Sequence, residues 1–283
     1  MVRTMRSIEE EARVRRVSGV GLDAYLSRGE FLDALDGPVL RDLKAFASEG
    51  VRRVLVVGLE DRGGLALSFA SAGLFVTVVE PDEALVGQVR ERAEREKCAM
   101  RMNLYASDYM KREFASSGFD LAVFYASLSR YNEPVVVVKK AARELRAGGR
   151  FFARVRVRPA WPGPEVRPGA VQRVASRIRT AASRIGFLDR FLAIPDAASF
   201  LKQVSEVLKV ERSEVVHLVS PVLADLACRL PTEAARRNAA RALKTLSSLE
   251  RRALQGVHPA RMLASYLVLF ASKEMGLGRT FRL

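Results

Sequence analysis

Val54-Leu-Val-Val-Gly58-Leu-Glu-Asp-Arg-Gly-Gly64 sets a run of four apolar residues against a turn holding three glycines, and Leu65 to Ala72 then reads as a helix. An apolar run without polar alternation suits a strand buried on both faces of a parallel sheet. Where such a strand feeds a glycine-rich turn and a helix, backbone N–H groups and the helix dipole face a ligand.

Downstream the same alternation continues. Leu74 to Val79 is a second predicted strand, and Asp82 to Lys97 a charged amphipathic helix. Met100 to Tyr105 is the third strand and Asp120 to Tyr125 the fourth. A helix from Glu133 to Arg146 closes at Ala147-Gly-Gly149, and Arg150 to Val157 is the fifth strand. Strands separated by single helices imply right-handed crossovers and a doubly wound sheet.

On either side of this unit the character changes. Residues 7–49 read as helical, with Ser7 and Glu10 in a capping-box pattern and a second stretch from Gly37 to Ala47. Arg158-Pro-Ala-Trp-Pro-Gly-Pro-Glu-Val-Arg-Pro-Gly169 holds four prolines and is expected to be a loop or lid. Helices are predicted at 170–187 and 197–207, a sixth strand at 208–219, a long helix at 232–255 and a last strand at 264–271. Three units are expected: helical residues 1–50, an α/β core at 51–157, and a basic helical extension at 158–283 that supplies the last two strands.

Three features fall at the carboxyl ends of neighbouring strands, where doubly wound sheets bind ligands. Gly58, Gly63 and Gly64 form the turn. Glu80 ends the second strand, where a carboxylate accepts from both hydroxyls of a ribose. Asp108 follows the third strand and is placed to accept from an exocyclic adenine amine. Together they favour an adenosine-containing ligand.

Here the sequence resembles the class I S-adenosylmethionine-dependent methyltransferases. Val54-Leu-Val-Val-Gly58 is similar to the family's first motif, and Val76-Thr-Val-Val-Glu80-Pro-Asp82 to its second. Ala106-Ser-Asp108 matches the adenine-contacting position. Phe119 to Ser127 resembles the fourth strand, whose end faces the methyl group. Ala141-Ala-Arg-Glu-Leu-Arg-Ala-Gly-Gly-Arg-Phe-Phe152 is the most specific likeness, to the family's helix, Gly-Gly turn and fifth strand. The resemblance implies a Rossmann-like, mostly parallel sheet with an antiparallel last strand, and S-adenosylmethionine as cofactor. It assigns cofactor contacts to Gly58, Glu60, Gly63, Gly64, Glu80 and Asp108, with Tyr125 either stacking on a substrate ring or packing in the core.

The chain departs from the family in two places. Val56 stands where an acidic residue usually holds the cofactor's amine, and Glu60 replaces the second glycine. Glu60 and Asp61 either supply the missing acid or block the backbone's approach. Gly58-x-Glu60-x-x-Gly63 is also a damaged dinucleotide motif, so a nicotinamide enzyme is the weaker reading.

Cys98 and Cys228 are too few for a disulfide framework or a four-cysteine zinc site, and no metal is expected. The absence of an Asn/Asp-Pro-Pro-aromatic motif after the fourth strand argues against exocyclic amines of bases as acceptors. His217 and His258 have no sequence neighbours that suggest a triad.

Residues 151–283 carry 23 basic and 10 acidic side chains, so +13 of the formal net +15 lies there. That asymmetry points to an anionic partner, against the plain alternative of a solubilising surface. Arg173, Arg177 and Arg184 share one face of the 170–187 helix. Arg236, Arg237, Arg241, Lys244, Arg251 and Arg252 lie along one side of the 232–255 helix, with Leu246, Leu249 and Ala253 on the other. Arginine forks suit phosphate oxygens. The expected substrate is RNA, transfer or ribosomal; the alternatives are a non-catalytic RNA-binding relative and a small-molecule methyltransferase. With 38 arginines, 9 lysines and only 7 amide side chains, the composition fits a thermophile. No membrane span is expected, and the expected compartment is the cytoplasm.

Overall fold

The computed structural model describes residues 24–48, 50–131, 133–157, 197–217, 220–256 and 266–274. The Ser7–Glu10 capping box, the 158–169 loop, the 170–187 helix with its three arginines, and His258 lie outside them.

The strands are β1 (Arg53–Val57), β2 (Phe75–Glu80), β3 (Met102–Ala106), β4 (Phe119–Tyr125), β5 (Leu145–Arg156), β6 (Lys209–Val216) and β7 (Tyr266–Ser272). They form one sheet in the order β3-β2-β1-β4-β5-β7-β6. β1 to β5 pair in parallel, and β7 runs antiparallel to both β5 and β6. The chain moves outward from β1 in one direction to β2 and β3, then in the other to β4 and β5. That reversal opens a crevice beyond the carboxyl ends of β1 and β4.

The helices are α1 (Gly29–Phe46), α2 (Gly64–Ser71), α3 (Glu83–Arg95), α4 (Pro134–Glu144), α5 (Ala197–Ser205), α6 (Ser220–Ala227) and α7 (Glu233–Gly256). Phe31, Leu35, Val39 and Leu43 recur every fourth residue and press α1 into a core shared with α2, α3 and one face of the sheet. Val137, Val138, Ala141, Phe200 and Val204 cover the other face from α4 and α5. Val54 to Val57 are all buried, as expected of a strand covered on both sides.

Three sequence expectations are corrected. The Gly148–Gly149 segment is not a turn before the fifth strand: β5 begins at Leu145 and runs through it. Gly148 takes φ +70°, its N–H donates to the carbonyl of Lys273 at 2.9 Å, and the register with β4 shifts nearby. The glycines absorb a bulge. The sixth strand ends at Val216, because His217 turns to φ +63°, and α6 follows at Ser220.

The third correction concerns α7. Its buried stripe is Ala240, Leu243, Ser247, Glu250 and Leu254, whereas Leu249 is 55% exposed and Ala253 also faces solvent. The apolar side chains mislead here because two polar residues join the buried face with partners. Ser247 donates to the carbonyl of Leu35, and Glu250 accepts from the backbone and hydroxyl of Ser220. No helix among the described residues is long and apolar enough to cross a membrane.

Candidate active site

β1 ends in a turn that glycine must open. Gly58 has φ +91°, and its N–H continues the ladder by donating to Val79 at 2.9 Å. A Cβ there would lie 2.5 Å from Glu60 Oε2 and 2.6 Å from Ser127 Cβ, so only glycine fits. Gly63, at φ +78°, precedes α2 and passes so close to Val89 that a Cβ would sit 2.5 Å from Cγ2.

The turn places Glu80 and Asp108 side by side. Glu80 is opposite Ala106 in the β2–β3 register, two residues before Asp108. It is 2% exposed and fixed by Leu59 N–H to Oε2 at 2.9 Å and Asp82 N–H to Oε1 at 3.1 Å. Asp108 caps the short 3-10 turn Tyr109–Lys111 by accepting from Met110 N–H at 2.9 Å. Gly58, Glu60, Gly63, Gly64, Glu80 and Asp108 are therefore gathered at one place.

Two internal side chains already occupy the positions open to a ligand. Arg130, which no sequence signal singled out, donates from Nη1 to both Glu80 oxygens at 3.0 and 3.1 Å. Its Nε lies 3.1 Å from Glu60 Oε1. Asp61 accepts from Gly63 N–H at 3.0 Å and Leu65 N–H at 2.6 Å, so it sits at the N-terminus of α2 where an anionic ligand group would. Glu60 does not reach outward. It folds back over Gly58 with its side chain 12% exposed. Burial, partly offset by Arg130, pushes its carboxyl up to about 8. Burial likewise raises Asp61, against the N–H groups of Leu65 and Gly63.

Several polar atoms here are shut off from solvent without a well-formed hydrogen bond: both Glu60 oxygens, Ser107 Oγ and Ser127 Oγ. They flank Gly58 and Glu80, and such orphans mark a place built for a polar group.

Tyr125 takes no part in this turn. Its ring is 3% exposed, and its hydroxyl donates to Asp36 Oδ2 at 2.6 Å, so it is a core residue and not a stacking platform. Asp36, in the middle of α1, is the hub of a buried ionic centre. It also meets His217 Nε2 at 2.7 Å and Arg154 Nε at 3.3 Å. Burial opposes its charge, but Arg154 and His217 outweigh burial and hold its carboxyl well below the usual range. Arg154 is fully buried, with its guanidinium 3.9 Å from the Tyr266 ring centroid. His217 Nδ1 in turn faces Ser220 Oγ at 3.2 Å, and Ser220 donates to Glu250 at 2.6 Å. The triad-like neighbours of His217 come from residues 181 positions away and 3 positions away, across α1 and α6. Spacing alone could not bring them together.

Four of the α7 cations divide. Arg236 donates to the Leu230 carbonyl, Arg237 pairs with Glu233 one turn earlier, and Arg241 and Lys244 are exposed.

A sequence profile described as a methyltransferase domain matches residues 57–153. That span runs from the end of β1 into β5 and includes every residue of the turn, Glu80, Asp108 and Arg130. Residues 57–153 are thus similar to a methyltransferase domain. No match was found among curated protein sequences. Solved structures share the domain's fold. The [4+2]-cyclase SpnF aligns at 19% identity over 84% of this chain and 81% of its own, with a TM-score of 0.55. A sarcosine dimethylglycine methyltransferase from Galdieria sulphuraria aligns at 14% identity over 84% and 85%, with a TM-score of 0.54. The geranyl diphosphate C-methyltransferase of Streptomyces coelicolor A3(2), solved with Mg2+, geranyl diphosphate and S-adenosyl-L-homocysteine, aligns at 13% identity over 84% and 79%, with a TM-score of 0.55.

Proposed function

We propose that the protein is an S-adenosylmethionine-dependent methyltransferase acting on RNA, with a cofactor pocket that is latched by its own arginine. The observation that carries the cofactor reading is Glu80. It is a buried carboxylate oriented by two backbone N–H groups at the crevice, one strand from Asp108. The buried hydroxyls of Ser107 and Ser127 around it, without a hydrogen-bond partner, fit a polar ligand.

Glu80 would accept from the ribose hydroxyls and Asp108 from the adenine amine. The ribose contact requires Arg130 to leave Glu80, and the 33% exposure of its side chain gives it solvent to turn into. When bound, the cofactor supplies an electrophilic methyl group on a sulfonium. The chain's part is to hold the acceptor in line with it and exclude water, which supplies much of the rate. Ser127, 1% exposed and next to Gly58 at the end of β4, closes that side of the crevice.

RNA as the acceptor rests on charge: the +13 excess of residues 151–283 suits a phosphate backbone. Two of the solved structures named above bear the names of small molecules, and that class is the alternative acceptor. Transfer of a radiolabelled methyl group to transfer or ribosomal RNA tests the assignment. Label that enters only low-molecular-weight compounds would replace RNA with a small acceptor.

A second reading has its own observation. Asp61 and Arg130 already satisfy the helix N-terminus and Glu80, so the fold needs no ligand to complete itself. In that case the protein binds RNA without catalysis. Calorimetric heat on adding S-adenosylmethionine counts against it; silence at millimolar cofactor from a protein that still binds RNA supports it.

A further inference from the structure

We infer that the groove between α1 and α7 is a docking track for the phosphate backbone of RNA. This rests on the proposed RNA acceptor and says where it binds. The groove encloses about 620 Å³ and is cut between two helices that pack on one another. Arg41 and Lys44 stand on one wall, Lys244 and Arg252 on the other, and Asp33 is the one acid in its lining. Arg251, deeper in, is already committed to Asp42 and Glu214. The other four cations form no ion pair with a carboxylate among the described residues, so four positive charges share the groove uncompensated. Self-repulsion of that kind costs the fold and is relieved by an anion.

The shape argues for a strand-like polyanion. Lys244 and Arg252 are eight residues apart on one helix, about 12 Å along its axis, so the cations line a track and do not close on one small anion. The walls are concave, which suits a chain laid into the groove and not a flat bilayer. Arginine on both walls offers the planar fork that phosphate oxygens accept in pairs. The backbone adds an acceptor: Pro38, inside α1, has no N–H, so the Ala34 carbonyl beside it lacks its usual helical donor. A ribose hydroxyl can supply one.

The test uses the full chain, fluorescently labelled transfer RNA, and anisotropy titrations at 50 and 200 mM salt, with cofactor binding measured separately by calorimetry. Lys244→Glu combined with Arg252→Glu should weaken RNA binding by about tenfold or more and flatten the log–log salt slope by about 2. Lys139→Glu, at an exposed position of α4 over the opposite sheet face, should leave both unchanged. Matching melting temperatures confirm folding, and Arg41→Gln with Lys44→Gln gives the same loss without adding negative charge. If wild type binds and the groove variants match it within twofold, the track is wrong while the RNA reading stands. If wild type does not bind at 50 mM salt, or prefers polyglutamate or anionic phospholipid vesicles to RNA, both fall. Binding without methyl transfer leaves the track standing and ends only the catalytic assignment.

Discussion

Arg130 Nη1 lies within 3.1 Å of both oxygens of Glu80, the carboxylate at the tip of β2. The chain thus places a cation of its own on the carboxylate proposed above to accept from a ribose. Glu60 completes the arrangement from the other side of the guanidinium. Arg130 thus lies between two carboxylates that are both largely buried.

Glu60 makes the domain's stability depend on pH. Its carboxyl is raised from 4.5 to about 8 in the fold, so the folded chain keeps a proton that the unfolded chain releases above 4.5. Its contribution is fully present below about pH 4.5, falls as pH rises toward 8, and is then constant. Glu60→Gln, which stays neutral, should melt above wild type by a margin that is larger at pH 8 than at pH 5. Thermal melts of both proteins at the two pH values check this; a margin independent of pH refutes it.

The Asp36–Arg154 pair ties α1 to β5 at zero exposure. Asp36→Ala would strand a buried guanidinium and should cost about 3–5 kcal/mol, lowering the melting temperature by on the order of 10 °C. The double variant Asp36→Ala with Arg154→Met removes the stranded charge and should recover part of that loss. Denaturant midpoints of wild type, single and double variants measure the recovery. A double variant less stable than the single one would show that the pair is not coupled.

Gly63→Ala should destabilise the domain through φ +78° and through Val89. About 1–3 kcal/mol is the scale for a strained left-handed residue. Adding Val89→Ala removes the clash but not the backbone strain, so urea unfolding should show partial rescue relative to Val89→Ala alone.

The parallel sheet was legible because Val54–Val57, Val76–Val79 and Leu121–Tyr125 are apolar runs of the doubly buried kind; β3 is half exposed and reaches β4 through a short 3-10 turn. Glu80 and Asp108 were legible because a strand end fixes a side chain's address. Arg130, Asp36 and Asp61 were not. Their roles depend on which elements meet: Arg130 reaches Glu80 across 50 positions, and Asp36 reaches His217 across 181. The outward face of α7 misled for a related reason, since Ser247 and Glu250 are buried only because Leu35 and Ser220 wait for them. Val56, the missing acid of the first motif, is 2% exposed in the core, and no nearby carboxylate takes over its position: Glu60 turns to Arg130, and Asp61 to the α2 backbone.

Calorimetric titration of S-adenosylmethionine into wild type, Arg130→Met and Glu80→Ala bears most directly on the latched pocket. Arg130→Met should bind up to about fivefold more tightly than wild type, the worth of a part-exposed ion pair of about 1 kcal/mol, and Glu80→Ala should lose binding. Equal affinity in wild type and both variants, or no heat from any of them at millimolar ligand, would contradict the assignment of Glu80 as the cofactor's ribose acceptor.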